Sequence, residues 1–315
     1  MGKKDTLTKE YLSQNDVFAD AFNYYLYNGV KVIKPDELTE QDSTEIALLR
    51  KLEKTFPEQK IRDVLRLCTI KHNKDTTFVL LGIEGQANIH YAMPVRHYLY
   101  DALNYASQVE KFRKKHRDAG DLEGNEYLSG FGRNDKLIPV ITLCICFDKE
   151  RWDAPRSLYD MFDNIDPRIR EYIDDYRLNL ITPDEVADYK FFSSELGLVL
   201  EFIKESRDKE SLWRLVHDRT EYSNVDVTTV DMINEYTKID ISTKDNVGGK
   251  MDMCKAMQEL IQDGKEEGIK EGIKEGEDRL AKLLRLLTPG SEEFDKALNA
   301  GEEDRMKLYK KYNII

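Results

Sequence analysis

The sequence predicts an α/β fold with a helical extension at its C-terminal end. Three observations carry that expectation. The first stretch has helical apolar spacing, two apolar runs are separated by only HNKD (72–75), and LIPVITLCICF (137–147) is one unbroken apolar run.

Each element follows from its own pattern. Tyr11, Leu12, Asn15, Phe18, Ala19, Phe22, Tyr25 and Leu26 recur at i, i+3, i+4, i+7, which predicts one amphipathic helix over 11–27, stopped by Asn28-Gly29. VKVI (30–33) reads as a short strand, and a helix is expected near 43–55. A hairpin follows, over about 61–71 and 76–86. A second long helix is expected over 92–117, with Pro94 near its first turn and a basic end, KFRKKHR. The polar, Gly-rich segment 118–136 reads as a loop. The apolar run 137–147 has the composition of a strand buried on both faces. Helices are expected to dominate from 156 to about 262, with a break at NLITPDEV (179–186). The domain expectation is a core over 1–155, a helical remainder of the same domain over 156–262, and a tail over 263–315.

The tail changes character. In DGKEEGIKEGIKEGE the glycines Gly264, Gly268, Gly272 and Gly276 recur every fourth residue, which on a 3.6-residue helix makes a slowly drifting stripe. Two readings stay open: an oligomerisation helix that would make the protein a homo-oligomer, and a solvated helical linker.

Bulk properties narrow the class. The chain has 315 residues and a formal net charge of −12, which argues against generic adhesion to nucleic acid but leaves room for a local basic groove. No apolar run approaches the roughly 20 residues of a membrane span, and the N-terminal stretch lacks a secretory apolar region. Cys68, Cys144, Cys146 and Cys254 show no zinc spacing; Cys144 and Cys146 read as core thiols, and a reducing cytoplasm fits.

The chemistry concentrates at the hairpin. Glu84 and Gln86 stand two residues apart and so share a face. With the turn centred on Asn73-Lys74, facing positions add up to 147, which sets Asp63 across from Glu84 with Cβ atoms about 5 Å apart. Two opposed carboxylates repel unless a divalent cation lies between them, and Mg²⁺ takes one or two carboxylates plus waters and phosphate oxygens. A hairpin carrying charges at its solvent end is the other reading. Arg96 and Tyr100, four apart on the following helix, suit a phosphate contact, and Lys111, Arg113 and Lys114 suit the DNA backbone. Trp152 reads as packing, and the five histidines form no ligand pattern, although His90 and His97 lie near the site in sequence.

NDVFADAF, RDVL, LLGIEGQANIHYAMPVRHYLY and PVITLCICFDKERWDAPRSLYDMF, followed by the Gly/Glu/Lys repeat, together resemble the PD-(D/E)xK nuclease superfamily. The branch they resemble is the recombination-promoting (Rpn-like) nuclease family, often labelled putative transposase. That resemblance implies a mixed sheet flanked by helices with a restriction-endonuclease-like αβββαβ core. It also implies Mg²⁺-dependent DNA cleavage, with Mn²⁺ as a substitute, in recombination or mobile-element biology. Asp63 and Glu84 match the two acids of the motif. Gln86 stands where the superfamily has Lys, and would orient water or phosphate by hydrogen bonds. Asp16 matches an acid of the first helix that completes the metal shell, with Asp20 as the weaker match. A nuclease-like scaffold without activity, assembling through its C-terminal helix, is the alternative.

Overall fold

The computed structural model describes residues 3–40, 64–72, 75–299 and 301–314. Asp63 and the helix expected near 43–55 lie outside the described residues. The chain forms two compact units, Met1–Met253 and Cys254–Ile315, so the boundary precedes the one expected at 262.

The expected first helix is two, α1 (Lys3–Leu12) and α2 (Asn15–Tyr27). The Ser13 hydroxyl takes the Lys9 carbonyl at 2.6 Å, and Gln14 is extended, so the helix stops and restarts. Its apolar face survives the break: Tyr11, Leu12, Phe18, Ala19 and Phe22 are all buried. VKVI is not a strand. Instead, the buried Asn23 side chain accepts from the Val32 and Ile33 backbone N–H groups and donates to the Ile33 carbonyl, which satisfies the backbone without a strand partner.

A five-stranded mixed sheet carries the fold. Its strands are β1 (Leu38–Glu40), β2 (Val64–His72), β3 (Asp75–Gln86), β4 (Val140–Cys146) and β5 (Asn179–Ile181), in the spatial order β1-β2-β3-β4-β5. The first two pairings are antiparallel and the last two parallel. The β2–β3 ladder runs from Val64↔Ile83 to His72↔Asp75, so its facing positions add up to 147, the register the sequence predicts. β3 and β4 are interior, and β4 is buried along almost its whole length.

Parallel strands need a crossover, and α3 (Met93–Ala119) supplies it. Pro94 stands in its first turn. Gly120, at φ 63°, ends it by returning its N–H to the His116 carbonyl. The helix of 92–117 is therefore present within two residues at each end, and the short α4 (Gly124–Ser129) lies inside the expected loop.

Residues 156–195 depart from the helical expectation. They hold 3₁₀ turns, one helical turn (Pro167–Arg170), and β5 where the break was expected. Asp160, Asp166, Asp175 and Asp188 each capture nearby backbone N–H groups, and Pro155, Pro167 and Pro183 interrupt what is left. Helices resume with α5 (Leu196–Glu205), α6 (Lys209–Asp218) and α7 (Val227–Thr237). α7 packs on both α5 and α1. Val225–Asp226 and Lys250–Met251 pair as a two-stranded antiparallel sheet.

The second unit contains α8 (Met253–Leu286), α9 (Glu292–Asn299) and α10 (Glu302–Lys311). Leu283, Leu287, Ala297 and Leu308 form its core, with Phe294, Tyr309 and Tyr312 packed against it. The four repeat glycines stand in open space on α8: among the described residues, no atom beyond the helix's own nearby backbone would touch an added Cβ. No helix among the described residues is long and apolar enough to cross a membrane.

His116, in the last turn of α3, ties the following loop to the helix. Its Nδ1 meets Asp121 Oδ1 at 2.7 Å and its Nε2 meets Asp135 Oδ2 at 2.8 Å. These hydrogen bonds, Asp121 first and then Asp135, raise its pKa above the ordinary value. A raised folded pKa adds stability that is complete below the unfolded value and lost as pH rises through the folded one. His116→Gln should therefore lower the melting temperature more at about pH 6 than at about pH 9. Thermal unfolding at the two pH values checks this, and an equal loss at both would refute it.

Candidate functional site

The carboxyl end of β3 places Glu84 and Gln86 on one face, because side chains alternate along a strand. Glu84 pairs in register with Cys144, and Gln86 with Cys146, on the adjacent parallel strand. This is the end of a parallel sheet at which open α/β folds hold ligands. Glu84 is only 2 % exposed, which for an ionised carboxylate demands compensation.

The compensation comes from α3, which enters immediately after the strand. Arg96 Nη2 lies 2.7 Å from Glu84 Oε1, and Gln86 Nε2 donates to the same oxygen at 2.7 Å. Arg96 also donates through Nε to the Tyr100 hydroxyl at 2.6 Å. The second carboxylate oxygen differs. Oε2 is buried, has no hydrogen-bond partner among the described residues, and faces His97 Nε2 at 3.6 Å. His97 is fully buried, and both of its ring nitrogens are likewise unpartnered among the described residues.

An apolar wall closes the neighbouring region: Met93, Cys144, Cys146, Trp152, Ala154, Leu178 and Leu180 form one buried cluster, with Ile89 against it. Trp152 packs here and donates its indole N–H to the Ala154 carbonyl at 2.8 Å, as a packing residue does. Burial pushes the Cys146 thiol up to about 11, so it stays protonated as a core thiol. Among the described residues no disulfide forms.

The site residues expected from sequence are thus placed as follows. Glu84, Gln86, Arg96 and Tyr100 come together. Asp16 is exposed in the first turn of α2, where a carboxylate complements the helix dipole. Asp20 is buried, and its two oxygens accept from the backbone N–H and hydroxyl groups of Ser193 and Ser194, which commits it to structure. Lys111, Arg113 and Lys114 are exposed near the far end of α3. Arg113 pairs with Glu110 at 2.9 Å and donates to the Ser129 carbonyl. Among the described residues no group of three His, Cys, Asp or Glu side chains stands together as a metal site.

Sequence reading missed the polar interior of α3. Asp101 accepts from Thr142 Oγ1 at 2.5 Å and from the Tyr176 hydroxyl at 2.7 Å. Gln108 donates to the Ile138 carbonyl and accepts from the Ile138 N–H. The signal was present: His97, Asp101, Asn104 and Gln108 recur at helical spacing on one face, where a core-facing helix normally carries apolar residues.

No family model matches the sequence, and no curated protein or solved structure matches it significantly.

The Glu84–Arg96 pair makes a stability prediction. Arg96→Met leaves a buried carboxylate uncompensated and should cost about 3–5 kcal/mol. Glu84→Leu combined with Arg96→Met should recover most of that loss. Urea unfolding of the wild type, both single variants and the double variant measures the coupling; strictly additive losses would mean that the two side chains do not stabilise each other.

Proposed function

We propose that the protein is a divalent-cation-dependent DNA endonuclease with a restriction-endonuclease-like core, working in DNA recombination or mobile-element biology. The observation that carries this reading is the buried Glu84 carboxylate at the end of a central parallel strand, with one oxygen unpartnered among the described residues. The element order α-β-β-β-α-β through β4 also supports it, as does the resemblance of the motifs around RDVL and GIEGQ.

The residues present fit a hard cation. Oε2 of Glu84 is an oxygen donor with unused capacity, and carboxylate plus amide oxygen is the donor chemistry that Mg²⁺ or Mn²⁺ takes. Asp63, which matches the first acid of the motif the sequence resembles, is the proposed second acid. The cation, when bound, supplies Lewis-acid polarisation of the scissile phosphate and of the attacking water.

The chain's own residues do the rest. Glu84 holds its oxygens in place because its strand is paired with β4 and Gln86 donates to Oε1. Gln86, without charge, orients water or a phosphate oxygen through its amide. Arg96 and Tyr100 meet the phosphate at the site. Lys111, Arg113 and Lys114 lie roughly 22 Å further along α3 at ~1.5 Å per residue. That distance lets them touch the backbone of the same duplex several base pairs away.

Purified protein with supercoiled plasmid and Mg²⁺ should give nicked circles, and a chelator should abolish them. Asp63→Ala and Glu84→Ala should each slow nicking by about a hundredfold or more, and Gln86→Ala by less. Equal nicking by wild type and Glu84→Ala would sink the assignment.

A further inference from the structure

Oε1 of Glu84 is already held by a cation, the guanidinium of Arg96. Nη2 of Arg96 sits 2.7 Å from Oε1, and Gln86 donates to the same atom at 2.7 Å, so Oε1 is filled. Arg96 is also anchored on its outer side. Its Nε donates to Tyr100 Oη at 2.6 Å, and the guanidinium lies 5.7 Å from the centre of the Tyr100 ring. Arg96 retains 16 % side-chain exposure, whereas Glu84 has 2 %. The pair thus has one fixed partner, on the strand, and one partner reaching toward solvent.

A divalent ion arriving at Glu84 meets a positive charge already in contact with that carboxylate. Two cations within a few ångströms repel strongly in a site this dry. The guanidinium yields more readily if another anion receives it, and the anion that a nuclease brings is a phosphodiester.

We propose that Arg96 neutralises Glu84 from the Oε1 side until a cation binds the carboxylate and is then handed to a substrate phosphate, which makes cation uptake depend on nucleic acid. This rests on the nuclease reading above for the identity of the substrate. Tyr100 is the pivot: its hydroxyl holds the Nε side while the Nη side exchanges Glu84 for phosphate. Coupling of this kind is reciprocal, so the cation also tightens the grip on DNA.

The test titrates Mn²⁺ into the full chain and counts free Mn²⁺ by its electron-spin-resonance signal, with and without a phosphorothioate duplex that resists cleavage. Duplex alone serves as the baseline. Wild type should bind Mn²⁺ weakly by itself and about tenfold more tightly with the duplex. Arg96→Gln, which keeps a donor but sheds the charge, should bind Mn²⁺ alone about tenfold more tightly than wild type and lose most of the duplex effect. Arg96→Gln that binds no more tightly than wild type overturns the proposal. Wild type alone gives a second reading that needs no variant: Mn²⁺ affinity unchanged by the duplex also overturns it. Nicking separates the two ideas. Tighter Mn²⁺ binding by Arg96→Gln without any nicking by wild type supports the hand-over while removing the nuclease assignment. Robust nicking with Mn²⁺ affinity indifferent to Arg96 does the reverse.

Discussion

The contact between Glu84 and Arg96 is the constraint on which the first unit turns. An ionised carboxylate at 2 % exposure is tolerated only when its charge is met and its oxygens are hydrogen-bonded. Arg96 reaches it because α3 begins within a few residues of the end of β3, and Gln86 reaches it because strand side chains alternate. One pair of side chains therefore ties the start of the long crossover helix to the end of the strand it follows.

The same helix is tied down along its length by polar contacts rather than by apolar packing alone. Thr142 and Tyr176 meet Asp101, and the Ile138 backbone meets Gln108. These partners come from β4 and from the segments before and after it. A sliding apolar interface tolerates small shifts, but directional hydrogen bonds do not, so the interior of α3 holds the helix in one register against the sheet.

What the sequence made legible followed from short periods and local chemistry. The hairpin register could be read because only HNKD separates the two apolar runs, and centring the connection on Asn73-Lys74 sets facing positions that add up to 147. The burial of Cys144 and Cys146 followed from an unbroken apolar run. Other features depended on partners distant in the chain. Asn23 replaces a strand neighbour for residues 32–33, which no inspection of VKVI reveals. β5 is three residues long and falls where only a break between helices was expected, because so short a strand has no periodicity of its own. Arg96 and Tyr100 share a helix face, as their spacing predicts, but the carboxylate that Arg96 binds belongs to another element, and helical periodicity carries no information about it. Asp63, whose register position was the sharpest sequence expectation, lies outside the described residues.

The open glycines of α8 give that helix an uneven grain. Each costs about 1 kcal/mol relative to Ala in a helix interior, and none is offset by a packing partner within its own unit. The end of α8 is different, because Leu283 and Leu287 are locked into the core formed with α9 and α10. Fraying in this rod should therefore begin in its middle rather than at its packed end, so that backbone opening there costs far less than unfolding of the small domain beyond it.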